Sequence, residues 1–219
     1  SEHNNNKRSE HVVRHCVCHV GSWCCIEKNI VLGPVWLLGR PQHHNNLTEN
    51  RAVLHTALRA TAEQHIEVDG VNVINKVHTE LNKIEHFVTK IHNKSHKGWT
   101  DKPIDTFVNI GIGGSDLGPK MVVDALEGYR QGNTRSFFIS NIDYQAIADI
   151  QKIVNPETTL FIISSKSFST IETLTNAKTL KQWMLEKGCN DIGKHFIAVS
   201  NNLEATSKFG IEPDNVFEL

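Results

Sequence analysis

The sequence has almost no net charge and no long hydrophobic run. Its 219 residues carry 23 basic and 24 acidic side chains, which gives a formal net charge of −1. This balance argues against a nucleic-acid or membrane-surface partner held by bulk charge. The longest apolar stretch, residues 30–38, is interrupted by Gly33 and Pro34 and is far shorter than the roughly 18 residues that a membrane span needs. Residues 1–15 are polar and lack the apolar core of a secretory signal, so we expect a cytoplasmic protein.

Cysteine is scarce and unevenly placed. Of the five cysteines, one stands alone at position 189 and the others lie close together, namely Cys16, Cys18, Cys24 and Cys25. Interleaved histidines suggest zinc, but the C-x-C and C-C spacings lack the paired C-x2-C loops of structural zinc sites. We therefore expect reduced thiols and no bound metal. Residues 1–46 show no sustained hydrophobic period, which predicts a poorly organised leader.

From position 47 onward the pattern becomes helical. Residues 50–59 predict a short helix. Apolar side chains then recur at spacings of three and four, at Ile74, Val77, Leu81, Ile84, Val88 and Ile91. This stripe predicts a long helix that faces a core, followed by a polar loop over residues 93–98. Residues 47–100 are thus expected to form a helical N-terminal segment.

Beyond position 101, predicted strands and helices alternate. Strands are predicted at 106–112, 136–140, 159–163, 195–200 and 216–217, and helices at 120–129, 144–154, 171–186 and 202–209. The third strand is almost continuously apolar, as expected of a strand buried on both faces. This alternation predicts an α/β fold in which a parallel sheet carries helices on both faces. Ligands bind at the carboxyl ends of such strands, so the loops after the first and third strands form the candidate site.

The first of these loops, residues 111–120, is rich in glycine. Glycine lets the backbone approach a ligand, and the following helix N-terminus favours a negatively charged group. The dinucleotide fingerprint nearly fits but requires Gly or Ala where Asp116 stands, and the P-loop motif fails at Pro119 and Lys120. Asp143, just after the second strand, leaves open a ribose-binding site and thus a nucleotide-dependent oxidoreductase. A tight turn that binds nothing is a further alternative.

The second loop, residues 164–170, combines five hydroxyl groups with one ammonium group, that of Lys166. A phosphate monoester accepts several short hydrogen bonds from different directions, and hydroxyls, backbone N–H groups and a helix N-terminus supply such donors. The loop therefore indicates a phosphate site. In the alternative, Ser169 and Glu172 form a capping box that only starts the next helix, and Lys166 is solvated.

Several segments in one order resemble the glucose-6-phosphate isomerase family. They are ENRAVLH at 49–55, the run 109–119, SNID at 140–143, and residues 155–161 leading into SKSF at 165–168. The resemblance covers about residues 47–219. It implies a sugar-isomerase fold with a flavodoxin-like sheet, of which residues 101–219 would be an incomplete first domain. It also implies reversible interconversion of glucose 6-phosphate and fructose 6-phosphate in glycolysis and gluconeogenesis, no cofactor, and a homodimer for full-length members.

The resemblance also implies individual site residues. Carried over by position, the phosphate-binding residues are Ser165, Lys166, Ser167 and Thr170, and the sugar-contacting residues are Gly114 and Ser115. Ser167 and Ser169 stand where many members have threonine, which keeps the hydroxyl and loses a methyl group.

The family's catalytic residues are expected to follow position 219. They are an arginine that stabilises the enediolate, a glutamate that moves the proton, and a histidine and lysine associated with ring opening. We therefore expect this chain to lack the catalytic base, to be weakly active or inactive alone, and to expose apolar surface. A non-catalytic sugar-phosphate sensor of the same fold is the alternative function.

Overall fold

The computed structural model describes Leu54, residues 57–130 and residues 132–218. The predicted leader at 1–46, with its four clustered cysteines, lies outside these residues. The helix predicted at 50–59 lies partly outside them as well, and its last three residues, Ala57–Arg59, form a 3-10 turn.

A two-stranded hairpin, absent from the predicted elements, precedes the first long helix. Strands β1 (Glu67–Val68) and β2 (Val71–Asn72) pair antiparallel. Asp69 and Gly70 between them both have positive φ angles, 51° and 79°. Two such residues form the type I′ turn that the Asp-Gly pair favours. The Asp-Gly pair is therefore the signal that could have predicted this hairpin.

Helix α1 (Val73–His92) confirms the predicted apolar stripe. Through Phe87, with Ile84 and Ile91 beside it, this helix packs against one face of the parallel sheet that the rest of the chain forms. Lys83 on the same helix donates hydrogen bonds to the carbonyl oxygens of Pro213 and Val216, at 2.9 and 2.6 Å. None of the described helices, α1 included, combines the length and hydrophobicity that crossing a bilayer requires.

The remaining strands and helices alternate as predicted. In chain order they are β3 (Thr106–Ile110), α2 (Gly114–Ala125), β4 (Arg135–Ile139), α3 (Tyr144–Ile153), β5 (Thr159–Ser164), α4 (Ile171–Glu186), β6 (Phe196–Val199), α5 (Leu203–Phe209) and β7 (Val216–Phe217). Short 3-10 turns lie at Glu127–Tyr129, Pro156–Thr158, Ile192–Lys194 and Pro213–Asn215. Helix α2 differs most from the prediction, because it begins at Gly114 and not at Lys120.

Strands β3 to β7 form one parallel sheet in the order β4-β3-β5-β6-β7. Numbered along the chain from β3, this is the order 2-1-3-4-5 of flavodoxin-like folds. Ile110 in β3 lies opposite Ile139 in β4 and Ile163 in β5, so the three strands end at the same level. The predicted fold class, a flavodoxin-like parallel sheet preceded by a helical segment, is confirmed.

Helices cover both faces of this sheet. Successive side chains of a strand point to opposite faces. Val108 and Phe161 pack with α3, α4 and α5 in one hydrophobic cluster, whereas Leu160 and Phe217 pack with α1 in a second. Along this second face, a groove of about 880 Å³ runs between α1 and α2. Its lining is mainly apolar, and it lies away from the loops at the carboxyl ends of the strands.

At the amino ends of the strands, a buried histidine joins three segments. His195 is fully buried, its Nδ1 donates to the Thr159 carbonyl at 2.6 Å, and its Nε2 accepts from the Trp99 N–H at 3.0 Å. Burial lowers the pKa of His195, which keeps the ring neutral at pH 7. A Cβ atom at Gly98 would lie 2.7 Å from this ring and 2.3 Å from the Glu157 carbonyl oxygen, so only glycine fits there.

Candidate functional site

The two candidate loops lie next to each other at the carboxyl edge of the sheet. One follows β3 at residues 111–113, and the other follows β5 at residues 165–170. Strands β3 and β5 are hydrogen-bonded neighbours in the sheet. In the sequence, however, β4 comes between them, and it pairs with the other side of β3. The strand order reverses at this point, and such a reversal opens a crevice at the carboxyl ends, where flavodoxin-like folds bind ligands. The topology thus brings together the two loops that the sequence singled out.

Glycine gives the first loop its sharp turn. Gly113, the residue before α2, has φ 60° and ψ −125°, a backbone conformation that residues other than glycine rarely adopt. At Gly111 a Cβ atom would lie 2.7 Å from the Ser115 carbonyl oxygen. The tight turn places Gly114 and Ser115, both half-buried, as the first two residues of α2.

Asn109 explains how α2 can contain a proline in its second turn. Pro119 has no N–H, so the carbonyl of Ser115, four residues earlier, loses its helical donor. The buried side chain of Asn109 replaces that donor, with its Nδ2 at 2.9 Å from the Ser115 oxygen. The Oδ1 of the same amide accepts from the Ser164 hydroxyl at 2.8 Å. Asn109 therefore links the start of α2 to the end of β5, and it is a site residue that the motif reading missed.

Paired hydroxyl groups shape the second loop. The buried Ser165 has its Oγ 3.1 Å from Thr170 Oγ1, and the exposed Ser167 has its Oγ 2.6 Å from Ser169 Oγ. Lys166 lies between the two serines and is half-buried. All four predicted phosphate-binding residues thus lie in one turn at the end of β5.

Phe168 anchors this turn in the core. Its backbone N–H donates to the Ser165 carbonyl at 3.0 Å, and its φ of 49° is left-handed, which is strained for an aromatic residue. The ring is 4 % exposed and meets the edge of Phe209 at a centroid distance of 5.8 Å. Burial of the ring offsets the strain, so the hydrophilic loop has a hydrophobic foundation.

The predicted capping box of Ser169 and Glu172 is wrong. Helix α4 begins at Ile171, and its N-cap is Thr170, whose side chain makes no capping hydrogen bond. The hydroxyls of Ser169 and Thr170 instead bond to other hydroxyls within the loop. The first N–H groups of this 16-residue helix therefore donate no hydrogen bond to the side chain of the cap residue, which leaves them suited to an anion.

Asp116 is buried in the first turn of α2. Burial raises the pKa of its carboxyl group, while Lys120 and a hydrogen bond from Ser140 lower it by smaller amounts. Its Oδ1 has no hydrogen-bond partner among the described residues, and the same holds for Thr173 Oγ1 and Asn176 Oδ1. These three buried atoms can each form a hydrogen bond that no other described residue at this edge of the sheet makes with them.

Asp143 has a structural role in the described chain. Its carboxylate accepts from the Gln145 N–H at 2.9 Å and caps α3. It follows β4, the outer neighbour of β3, and so lies beyond the crevice between β3 and β5. The capping bond accounts for the Asp143 carboxylate without a bound ribose. Within the described ranges, no group of three or more His, Cys, Asp or Glu side chains is placed to hold a metal ion.

Comparison with known sequences gives one family. A sequence profile described as Phosphoglucose isomerase matches residues 42–219. The glucose-6-phosphate isomerase of Shewanella amazonensis is 49% identical over 176 residues, and that of Shewanella baltica strain OS155 is 48% identical over 176 residues. Each match covers 80% of this chain but only 32% of the relative. The chain therefore spans about a third of the length of these curated relatives.

Solved structures with the same fold include a glucose-6-phosphate isomerase from Chlamydia trachomatis. It is 26% identical, with a TM-score of 0.65, over 97% of this chain and 38% of that chain. A hypothetical protein from Thermus thermophilus is 22% identical, with a TM-score of 0.52, over 66% of this chain and 32% of that chain. The second likeness concerns the fold alone.

Proposed function

The chain belongs to the phosphoglucose isomerase family, and on that premise we propose that the edge where β3 and β5 end binds a hexose phosphate. The phosphate group is held by one turn and the sugar by the neighbouring one. The residues in these two roles are Ser165, Lys166, Ser167 and Thr170 for the phosphate, and Gly114 and Ser115 for the sugar.

One observation carries this proposal. The hydroxyls of Ser165 and Thr170 lie 3.1 Å apart directly before the first turn of α4, and Thr170 leaves the N–H groups of that turn uncapped. A phosphate monoester accepts hydrogen bonds from both kinds of donor, and the helix N-terminus favours its negative charge. Each charge-assisted hydrogen bond contributes roughly 1.5–3 kcal/mol, so a few are enough to hold a small ligand.

The sugar end depends on backbone positions. Gly111 and Gly113 turn the chain so tightly that Gly114 and Ser115 begin α2 beside the neighbouring loop. The Asn109 amide fixes that position relative to β5 through Ser164. The same arrangement gives polar backbone groups access to the hydroxyls of a hexose.

For the whole protein we propose reversible interconversion of glucose 6-phosphate and fructose 6-phosphate, within glycolysis and gluconeogenesis. We propose that it acts without a cofactor, in the cytoplasm and as a homodimer. This isomerisation needs a base that lifts the proton from one carbon and returns it to the next. Asp116, the carboxyl group of the first loop, is buried and bonded to Ser140, so it is not our candidate. We propose that the base belongs to the part of the relatives outside the match.

Calorimetric titration with fructose 6-phosphate tests the binding step. The variant Thr170→Val removes one hydroxyl from the phosphate turn and keeps the size of the side chain. We expect roughly ten- to 150-fold weaker binding, since a hydrogen bond to a charged group contributes roughly 1.5–3 kcal/mol. The control is Thr175→Val, which removes an exposed hydroxyl further along α4 and should leave the affinity unchanged.

Two results would contradict the proposal. One is no heat of binding from a wild-type sample that melts cooperatively. The other is an equal loss of affinity in the Thr170 and Thr175 variants. A coupled assay for glucose 6-phosphate on the same sample separates the two functions: binding with turnover supports an isomerase, and binding without turnover supports the sugar-phosphate sensor or a chain without its base.

A further inference from the structure

A segment outside the phosphate turn holds the backbone of that turn. This holding segment, Ser200–Asn202, joins β6 to α5. The carbonyl oxygen of Lys166 accepts from the N–H of Asn201 at 2.9 Å and from the hydroxyl of Ser200 at 3.1 Å. The carbonyl oxygen of Ser167 accepts from Nδ2 of Asn202 at 3.0 Å. Both central carbonyls of the turn therefore point toward the holding segment.

This orientation determines where the donors of the turn point. In a trans peptide the C=O and N–H groups point in opposite directions. The N–H of Ser167 shares a peptide plane with the Lys166 carbonyl, so it points away from the holding segment. The next N–H, that of Phe168, closes the turn on the Ser165 carbonyl at 3.0 Å. The holding segment thus presents the Ser167 N–H to the side where the proposed phosphate binds.

The amide of Asn202 makes two separate contacts. Its Oδ1 accepts from the Ala205 N–H at 3.0 Å and caps α5, while its Nδ2 donates to Ser167. A backbone N–H can only donate and a carbonyl oxygen can only accept, so these partners fix which end of the amide is which. The backbone N–H of Asn202 donates to the hydroxyl of the fully buried Ser200 at 3.2 Å. A substitution can therefore remove the contact with the turn and keep the helix cap.

We propose that Asn202 is a positioning residue for phosphate binding: by holding the Ser167 carbonyl, it fixes the Ser167–Phe168 peptide in the orientation that closes the turn on Ser165. The closed turn keeps the neighbouring Ser167 N–H directed at the phosphate group. The inference rests on the proposed function of the turn. It adds a residue from the loop after β6, at a position outside the segments on which the site was predicted.

Two substitutions separate the two contacts of Asn202. Serine at an N-cap accepts from the helix about as well as asparagine, but it is too short to reach Ser167. Aspartate also caps well, but it faces the Ser167 carbonyl with a second acceptor. The control is Asn155→Ser, which shortens an N-cap asparagine that accepts from the Glu157 N–H at 3.0 Å at the opposite end of the sheet.

Calorimetry with inorganic phosphate and with fructose 6-phosphate, together with thermal melts, gives the expected order. Asn202→Ser should bind both ligands three- to tenfold more weakly than wild type, and Asn202→Asp more weakly still. Both should melt within a few degrees of wild type, and Asn155→Ser should bind as wild type does. Phosphate should also move the amide proton resonance of Ser167 in the wild type, and this movement should shrink in Asn202→Ser.

The outcomes distinguish the inference from the function beneath it. If wild type binds and both Asn202 variants bind equally well, the inference is overturned and the proposed function stands. An unchanged movement of the Ser167 resonance in Asn202→Ser likewise overturns it. If wild type itself binds neither ligand while folded, the proposed function fails and the inference fails with it.

Discussion

The buried polar groups at the two ends of the parallel sheet differ in how completely they are hydrogen-bonded. At the amino end, His195 uses both ring nitrogens, and the Thr106 hydroxyl donates to Asp105 at 2.7 Å while it accepts from Arg135 at 3.1 Å. At the carboxyl end lie the buried side-chain atoms that lack a partner among the described residues, on Asp116, Thr173 and Asn176. The strained φ of Phe168 lies at that end as well.

This difference indicates that the amino end of the sheet serves mainly the stability of the fold and the carboxyl end serves mainly ligand binding. A buried polar group without a partner costs free energy, so the satisfied amino end stabilises the fold while the carboxyl end keeps hydrogen bonds unmade. Strained backbone and unsatisfied groups concentrate where proteins bind ligands. Changes at the amino end should therefore mainly lower stability, and changes at the carboxyl end should also alter ligand affinity.

The largest effect is expected from crowding the amino end. Gly98→Ala would place a Cβ atom 2.3 Å from a backbone oxygen and 2.7 Å from the His195 ring, and the backbone oxygen cannot move aside easily. We expect the free energy of unfolding to fall by about 3 kcal/mol in urea denaturation. Gly128→Ala, where nothing lies within 4 Å, is the control and should change it by less than about 0.5 kcal/mol. Equal effects would remove the steric argument.

A double-mutant cycle tests the link between the two loops at the carboxyl end. Asn109→Ala should lower the free energy of unfolding by roughly 2–3 kcal/mol, because it leaves the Ser115 carbonyl and the Ser164 hydroxyl without partners. Pro119→Ala restores a backbone N–H that can donate to Ser115. The double variant should therefore recover about 1 kcal/mol of the loss. Strict additivity in urea denaturation would contradict the compensation.

Acid should weaken the amino end. The folded pKa of His195 lies below its unfolded value of 6.5 because of burial, and that of His96 is lowered for the same reason. The unfolded chain therefore takes up protons first. The stability contribution is complete above about pH 6.5 and is lost as the pH falls toward the folded pKa values, by at most about 1.4 kcal/mol per pH unit and group.

Unfolding curves at pH 7.5, 6.5 and 5.5 measure this loss. The variant His195→Gln should be less stable than wild type at pH 7.5 and should lose less stability between pH 6.5 and 5.5. A wild-type stability that is constant over this interval would contradict the assignment of a neutral, buried His195.

The smallest effect is a gain at the carboxyl end. Burial raises the folded pKa of Asp116, so its contribution to stability is present below the unfolded value of 3.8 and is lost as the pH rises through the folded pKa. Asp116→Asn removes the buried charge and should raise the free energy of unfolding at pH 7 by up to about 1 kcal/mol. The gain should vanish near pH 3.8. The control, Asp143→Asn, keeps a residue type that caps α3 and should change little. A loss of stability in the Asp116 variant at pH 7 would contradict the prediction.

The sequence pattern was enough for the strands of the parallel sheet, for the helices between them apart from the start of α2, and for the two loops. Alternating strands and helices imply that loops after successive strands share one edge, which brought residues 111–113 and 165–170 together. The start of α2 was missed because Pro119 reads as a helix breaker, and the amide that compensates for it comes from β3. The contact of Asn202 with Ser167 was missed because it depends on β6 pairing with β5. Both errors concern contacts between segments, which local patterns do not encode.

Strand β7 has only two residues and, among the residues that the structure describes, is supported on its outer side by α1 and not by another strand. Lys83 bonds to carbonyls at 213 and 216, and the Glu80 carboxylate accepts from the Glu218 N–H at 3.2 Å. Amide hydrogen exchange in this last strand should therefore follow the opening of a helix more than a hundred positions earlier in the chain. Because Asn72 of the hairpin caps that helix, loosening the hairpin should also increase exchange at this distant strand.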